Sequence, residues 1–285
     1  MNGGADLESL KRWIGRAQTA EDVVAVDRVR AMAATLDKER APAAGDVLPL
    51  GWHWMFFNPA APASELGPDG HPQRGGFLPP VPLPRRMWAG GRLMFQRPLH
   101  VGEGIRRESE IGDVTVKQGK SGTLVFVLVR HRVVGENGLS LEEEHDIVYR
   151  PAPSAGIPAA APSPAPVGAP WRRMIRPDPV LLFRYSALTF NGHRIHYDHP
   201  YVTKVEGYPG LIVHGPLIAT LLLDLATTHV ASEALVRFAF RAVSPLFDTA
   251  PFSVNGLPAE DGRSARLWAA GVDGAYAMTA EAAFR

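Results

Sequence analysis

Cysteine is absent from this chain of 285 residues. Without a thiol there is no disulfide, no thiolate nucleophile and no zinc or iron–sulfur centre built on cysteine. The absence is typical of proteins kept in a reducing compartment, so a cytoplasmic location is expected. The N-terminus reads Met-Asn-Gly-Gly-Ala-Asp and continues as a charged amphipathic stretch, so no secretory signal is expected.

A strong charge of either sign is also missing, since the formal net charge is +1. Proteins that bind nucleic acid usually carry a clustered basic face, so no nucleic-acid partner is expected. Long apolar runs are scarce as well. The longest, around residues 211–225, is interrupted by His214, Gly215, Pro216 and Asp224, and it is too short and too polar to span a bilayer. We therefore expect no membrane partner.

Hydrophobic residues make up 46% of the chain and charged residues 21%, which is ordinary for a globular protein. The length lies between that of one large domain and that of two small ones. Residues 151–170 are rich in alanine, proline, serine and glycine and offer little that can pack, so they predict a surface linker. This linker separates an N-terminal half, residues 1–150, from a C-terminal half, residues 171–285.

The N-terminal half is predicted to start with helices. Apolar residues recur at helical spacing from Asp6 to about Leu36, and Thr19 is predicted to cap a second helix. Residues 48–84 contain an aromatic cluster and then a stretch rich in proline and glycine. A long irregular segment of this kind is either a lid over a site or, through its aromatic residues, part of a core. Strands are predicted at 114–116, 123–134 and 142–149, with a hairpin turn at Asn137-Gly138.

The C-terminal half predicts one principal helix followed by strands. The helix is predicted at 216–228, after a strand at 180–186, and later strands are predicted at 235–242, 252–257, 265–272 and 275–284. A helix packed on a curled antiparallel sheet gives an α+β fold. Because both halves end in runs of strand signals, they are compatible with two diverged copies of one fold.

Polar groups are concentrated between Ser186 and Asp198, in the sequence Ser-Ala-Leu-Thr-Phe-Asn-Gly-His-Arg-Ile-His-Tyr-Asp. This turn-rich stretch places Asn191 and His196 next to apolar segments. Further on, Gly215 opens the predicted helix, where free backbone N–H groups and the positive end of the helix dipole can hold an oxyanion. His193 and His196 have no neighbouring cysteine or paired glutamate, so no metal site is expected.

This segment resembles the signature of the R-specific enoyl-CoA hydratases, the MaoC-like family. That signature has an acid, then Asn-Pro-aliphatic, a histidine five residues after the acid, and later a His-Gly step into a central helix. His196 takes the position of the histidine, Asn191 that of the acid, and Gly215 that of the glycine whose N–H polarises the thioester carbonyl. The sequences of residues 183–198, and of residues 51–57 in the first half, resemble one branch of this family still more closely. That branch contains the mesaconyl-C4-CoA hydratases, the itaconyl-CoA hydratases and the 3-hydroxyacyl-thioester dehydratases.

The resemblance implies a double hot-dog, an α+β fold of two fused units that each curl an antiparallel sheet around a central helix. Only the second unit would keep the active-site loop. His196 would be the base, Gly215 would stabilise the enolate, and Asn191 would orient a water, since an amide cannot accept its proton. Asp198 either orients His196 or is a turn residue, and the turn is favoured. The substrate-binding residues implied are Tyr197, His214, Pro209 and Gly210.

The function implied is reversible addition of water to the double bond of a short branched dicarboxylic enoyl-CoA, mesaconyl-C4-CoA or itaconyl-CoA. One alternative is a 3-hydroxyacyl-thioester dehydratase of fatty-acid metabolism. An alternative of another class is a non-catalytic acyl-CoA-binding protein. The partner expected is an acyl-CoA thioester, with coenzyme A as part of the substrate and no other cofactor. The oligomeric state stays open, a homodimer being one option.

Overall fold

The computed structural model describes residues 7–119, 122–151 and 163–285, so most of the predicted linker lies outside the described residues. Its strands are Ala17–Val23 (β1), Arg85–Phe95 (β2), Gly104–Gly119 (β3), Gly122–Gly135 (β4), Gly138–Arg150 (β5), Trp171–Ile175 (β6), Leu235–Ala242 (β7), Phe252–Pro258 (β8), Ser264–Ala270 (β9) and Tyr276–Phe284 (β10). Its α-helices are Val26–Thr35 (α1), Pro179–Leu188 (α2), His199–Lys204 (α3) and Gly215–His229 (α4). Short 3-10 helices cover Leu7–Trp13, Trp52–Met55, Ala63–Glu65, Arg194–His196 and Ser232–Ala234.

All ten strands join one sheet in the order β1-β3-β4-β5-β2-β7-β10-β9-β8-β6. The first five strands lie in the order first, third, fourth, fifth, second, and the last five repeat this order when counted from the opposite edge. The two second strands, β2 and β7, pair antiparallel from Gly90↔Arg241 to Met94↔Arg237. In each half a helix, α1 or α4, lies between the first and second strands. This is a double hot-dog, and the predicted α+β fold class is confirmed.

Two predictions of secondary structure are wrong. Thr19 caps no helix but lies in β1, which pairs with β3 along its whole length, from Ala17↔Glu110 to Val23↔Gly104. Pairing with a neighbouring strand therefore overrides the local helical spacing. The predicted strand at 180–186 belongs to helix α2, because the Asp178 carboxylate accepts the Leu181 N–H at 2.8 Å and Pro179 occupies the first turn.

Strand β2 lies at the centre of the sheet although its sequence predicts no strand. The pairing register shifts between Trp88 and Gly90, and a Cβ on Gly90 would lie 2.6 Å from the Phe240 carbonyl oxygen. Glycine is required at this bulge and weakens the strand signal of the sequence. The later strands, the Asn137-Gly138 hairpin and the main helix are where the sequence predicts them.

The core joins the two halves around α4. This helix buries nine of its residues, Leu217–Leu223, Leu225 and Ala226. Trp52, Met55 and Phe56 of the aromatic cluster are 2%, 0% and 1% exposed and belong to the same hydrophobic cluster as α4. Each such large apolar side chain contributes about 1.5–3 kcal/mol when fully buried. The aromatic part of residues 48–84 is thus part of the core.

In the described ranges, every helix is too short or too polar to cross a bilayer.

Candidate active site

The loop of residues 190–198, which is predicted to carry the active site and which we call the active-site loop, follows α2 and is shaped by its own hydrogen bonds. The Asn191 side-chain oxygen accepts the His193 N–H at 3.0 Å, while the Asn191 N–H donates to Ser186 O at 2.8 Å. Asn191 therefore forms the turn that sets the direction of the loop. Asp198 ends the loop by capping α3, where it accepts the Tyr201 N–H at 3.0 Å. Asp198 is thus a helix cap rather than the favoured turn residue, and its carboxylate also pairs with the Arg194 guanidinium.

His196 lies in a 3-10 turn of this loop and is 7% exposed. Its Nδ1–H donates to the Ile212 carbonyl oxygen at 2.7 Å, which leaves Nε2 with a lone pair. Burial lowers the pKa of His196 to about 4, although the hydrogen bond to Ile212 opposes this effect. The ring is therefore neutral near neutral pH and presents a base at Nε2.

His214 supports the ring of His196 from one face. The two imidazoles stack at 3.7 Å between centroids with an angle of 17°. Nε2 of His214 lies 2.8 Å from the Ser186 hydroxyl, and Nδ1 is buried without a partner among the described residues. Burial lowers the pKa of His214 well below its usual range, so it packs against His196 as a neutral ring.

Gly215 follows His214 and begins the 15-residue helix α4. Within the described ranges, no side chain or carbonyl accepts the Gly215 N–H, which lies at the positive end of the helix dipole. A Cβ at this position would meet the Trp88 carbonyl oxygen at 3.9 Å, an ordinary contact. Because His214 stacks on His196, a free backbone donor and the base lie side by side.

The other predicted substrate-binding residues are Tyr197, Pro209 and Gly210. Tyr197 is 43% exposed and its hydroxyl donates to Gly192 O at 2.9 Å. Pro209 is exposed, and Gly210 is buried where a Cβ would lie 2.4 Å from an Asp248 oxygen. In the part of the chain that the structure describes, none of the three has a hydrogen bond or ring contact with the His196 imidazole. Their roles towards substrate stay predictions.

A loop of the first half, residues 67–71, lies directly on the active-site loop, and we call it the docking loop. Arg194 donates its N–H to Asp69 O and its guanidinium to Pro68 O, both at 2.9 Å. A Cβ on Gly70 would lie only 1.9 Å from Gly192 O. The two loops therefore meet backbone to backbone, which only glycine at 70 permits. The docking loop belongs to the segment predicted as a lid or core; whether it closes over substrate stays a prediction.

The docking loop brings an acid and a histidine into the site. Asp69 Oδ2 lies 3.1 Å from His71 Nδ1, and the His71 ring lies 4.1 Å from that of His193. His193 in turn lies 5.6 Å from His196. Sequence reasoning missed Asp69 and His71, because no spacing rule connects them to a motif so far along the chain.

The protonation of this group follows from burial and from the carboxylate. Burial lowers the pKa of His71, against the opposing effect of Asp69. Burial, with the charge of His71, lowers the pKa of His193 to about 2. Burial raises the pKa of Asp69, but the hydrogen bonds and charge of His71 outweigh it and bring it below its usual value. Near neutral pH the acid is ionised and the rings are neutral.

Asp69, His71 and His193 are also the side chains of the described residues whose ligand atoms lie close enough for a shared metal ion, within 4.8 Å. The ring geometry argues against this use. Two imidazoles on one tetrahedral zinc ion have centroids about 5 Å apart, given Zn–N bonds of about 2.0–2.1 Å. The 4.1 Å between His71 and His193 is ring-to-ring contact.

One cation lies near these rings without an acidic partner. Arg86 is paired across the sheet with Tyr149, and its charge lowers the pKa of both His71 and His193. Among the described residues no carboxylate oxygen lies within 4.0 Å of its guanidinium, whereas neighbouring Arg85 forms an ion pair with Glu206 at 2.9 Å. The Arg86 guanidinium hydrogen-bonds the Tyr149 side chain and, without an acidic partner among the described residues, can also bind an anionic ligand.

Solved structures with the same architecture include two MaoC-like dehydratases. One has a TM-score of 0.69 at 15% identity, covering 97% of this chain and 99% of that one. The enzyme from Phytophthora capsici has a TM-score of 0.70 at 15% identity, covering 99% and 98%. At this identity the likeness establishes the fold alone, which is that of the MaoC-like hot-dog proteins.

The model of the family "Hydroxyacyl-thioester dehydratase type 2" matches residues 51–248, and the chain belongs to this family. It is 51% identical to the mesaconyl-C4-CoA hydratase of Chloroflexus aurantiacus, over 94% of this chain and 95% of that protein. It is 31% identical to the mitochondrial hydroxyacyl-thioester dehydratase type 2 of Schizosaccharomyces pombe, over 72% and 76%. The predicted family and branch are confirmed.

Proposed function

We propose that this protein is a hydratase that adds water to the double bond of a short branched dicarboxylic enoyl-CoA, with mesaconyl-C4-CoA as the first candidate. The observation that carries the proposal is the 51% identity, over nearly the whole of both chains, to a mesaconyl-C4-CoA hydratase. The hydroxyacyl-thioester dehydratase of S. pombe is more distant, at 31%.

We place the protein in the cytoplasm, with which a cysteine-free chain is compatible. A homodimer stays a prediction.

The chemistry rests on His196 and Gly215. Nε2 of His196 takes a proton from water, whose oxygen bonds to the β-carbon of the enoyl thioester. The electron pair of the double bond moves towards the thioester oxygen, where the free Gly215 N–H stabilises the enolate. A preorganised donor of this kind is worth about 3 kcal/mol. Coenzyme A enters as part of the substrate, and the reaction needs no further cofactor.

Arg86 is our candidate for recognising the free carboxylate of the substrate. A dicarboxylic substrate requires a cation in the pocket, whereas a long acyl chain requires an apolar tunnel. Arg86 lies near the histidines and lacks an acidic partner among the described residues. Mesaconyl-C4-CoA and itaconyl-CoA both carry such a carboxylate and crotonyl-CoA does not, so this contact separates the two substrate classes.

The experiment measures hydration of mesaconyl-C4-CoA, itaconyl-CoA and crotonyl-CoA by the loss of enoyl-thioester absorbance. We expect the wild type to prefer a dicarboxyl substrate and His196→Ala to abolish turnover. Arg86→Gln is expected to reduce kcat/KM for the dicarboxyl substrates at least 30-fold, the loss of a charge-assisted contact of about 2 kcal/mol, and to leave crotonyl-CoA within threefold. Arg132→Gln, an exposed arginine on β4, is the matched control.

Two other outcomes of this experiment would support the alternative functions. A preference for crotonyl-CoA or longer chains in the wild type would support the fatty-acid dehydratase. Binding of all three thioesters without turnover would support the non-catalytic acyl-CoA-binding protein.

A further inference from the structure

Hydration needs a group that returns a proton to the α-carbon. The carboxylate of the active-site loop, Asp198, is occupied by the Tyr201 N–H and the Arg194 guanidinium. At the position of the family's acid stands Asn191, whose side-chain oxygen already accepts the His193 N–H. Among the described residues, the hydrogen-bond and ring partners of His196 are Ile212 O, His214 and His193, none of which is anionic. When His196 takes a proton, the imidazolium therefore has no carboxylate among its hydrogen-bond and ring partners in the described residues.

The docking loop places a carboxylate at the far end of the same row of rings. Asp69 hydrogen-bonds His71 at 3.1 Å, His71 contacts His193 at 4.1 Å, and His193 lies 5.6 Å from His196. The backbone contacts at Gly70 and Arg194 hold the pair in this position. A carboxylate that orients an imidazole and stabilises its protonated form is a general arrangement for acid–base catalysis.

We propose that the Asp69–His71 pair, contributed by the first half of the chain, is the second acid–base group of the site. The pair takes the role of the family's acid, which the Asn191 amide cannot fill. The proposal rests on the proposed hydratase function. His71 is the group that exchanges the proton with the α-carbon, and Asp69 is a positioning residue that acts through His71.

The proton balance of the reaction closes with this assignment. Water gives one proton to His196 as its oxygen bonds to the β-carbon and the electron pair of the double bond moves to the thioester oxygen. The excess proton is transferred from His196 to His71, whose rings both lie against His193, and the Asp69 carboxylate stabilises the charge on His71. His71 then gives it to the α-carbon as the enolate collapses. All the histidines end neutral, and the substrate has gained one molecule of water.

His71→Gln and Asp69→Asn test the pair, with His229→Gln and Asp113→Asn as exposed controls of the same residue types. We expect His71→Gln to lower kcat on the best enoyl-CoA about 100-fold or more, the range of general acid–base catalysis, with KM changed less than threefold. Asp69 raises the pKa of His71. In Asp69→Asn that pKa falls, so the acid limb of the kcat/KM profile moves to lower pH.

A deuterium isotope effect separates a chemical role from a structural one. With 3-hydroxyacyl-CoA deuterated at the α-carbon, dehydration by His71→Gln is expected to show a larger isotope effect on kcat than the wild type, because α-proton removal has become slower. In His196→Gln, the residual dehydration is limited by loss of the hydroxyl, so its isotope effect, measured at high enzyme concentration, is expected to fall towards one.

Two results would contradict a catalytic role of the Asp69–His71 pair. One is a kcat of His71→Gln within threefold of the wild type. The other is a lower kcat with an unchanged isotope effect and an unchanged pH profile. Loss of wild-type activity in EDTA, restored by zinc, would assign the three side chains to a metal instead. Absence of turnover by the wild type would overturn the proposed function as well, whereas an active wild type with an unaffected His71→Gln would overturn the pair alone.

Discussion

The neutral state of the histidines is the main chemical property of the site at the residue scale. His196 and His214 are buried and His71 and His193 half-buried, and burial is the largest cause of the lowered pKa of all four rings. A buried neutral imidazole is a base that becomes charged only during the reaction, so its partners decide how costly that charge is. The Asp69 carboxylate lowers this cost for His71, because it favours the protonated ring, although both residues lie in the other half of the chain from His196.

Gly215 allows the oxyanion contact to be tested without harm to the fold. In Gly215→Ala the new methyl group would meet the Trp88 oxygen at 3.9 Å, so the helix accepts it, and alanine favours helix by up to about 1 kcal/mol. We expect an unchanged or higher melting temperature. The methyl group would crowd the thioester beside the N–H and lower kcat roughly tenfold or more.

Steady-state kinetics and thermal unfolding measure the two effects. Gly104→Ala is the control, because a Cβ there meets nothing within 4 Å. Full activity in Gly215→Ala would contradict a thioester that packs against residue 215, because the added methyl group would then meet no substrate atom.

The elements of the structure differ in how far the sequence determines them. Strands β4 and β5 are predictable because their β-branched residues and their Asn137-Gly138 turn act locally. Strand β2 is not predictable, because its bulge at Gly90 is dictated by the neighbouring Phe240 carbonyl. The same division holds in the site. His196 and Gly215 belong to a contiguous motif, whereas Asp69 and His71 join the site only through folding of the docking loop.

The docking loop should depend on Gly70. This glycine has φ +86°, and a Cβ on it would lie 1.9 Å from Gly192 O, so Gly70→Ala must separate the two loops. We expect activity to fall at least as far as in His71→Gln, because the pair leaves the site, with a loss of stability of about 1–3 kcal/mol. Gly45→Ala is the matched control, with φ +85° and no atom within 4 Å of the Cβ.

Activity and chemical denaturation of the two variants give the comparison. If Gly70→Ala and Gly45→Ala lose equal stability and keep equal activity, the contact between the loops has no part in the site.

At the scale of the whole molecule, the two halves share one sheet and one core. β2 and β7 hydrogen-bond across the middle, and the core cluster contains residues of both halves, such as Trp52 and Leu217. Residues 163–285 expressed alone would expose the edge of β7 and the apolar face of α4. We expect this fragment to aggregate or to lack a cooperative thermal transition, and to have no hydratase activity although it contains His196 and Gly215.

Circular dichroism during heating and size-exclusion chromatography test this expectation, with the full-length chain as the reference. A folded monomeric fragment that hydrates an enoyl-CoA would contradict both the shared core and the contribution of the docking loop to the site.

The contact between docking loop and active-site loop has a consequence for how such a protein can evolve. In a dimer of identical single units, every substitution appears in both copies, so a change that improves the catalytic loop also alters the partner that faces it. Here Asp69 and Asn191 are separate positions of one gene, and selection can act on each alone. Loss of the acid from the motif is then tolerable once the facing half supplies a carboxylate, and the order of those two events can be sought in relatives that carry only one of them.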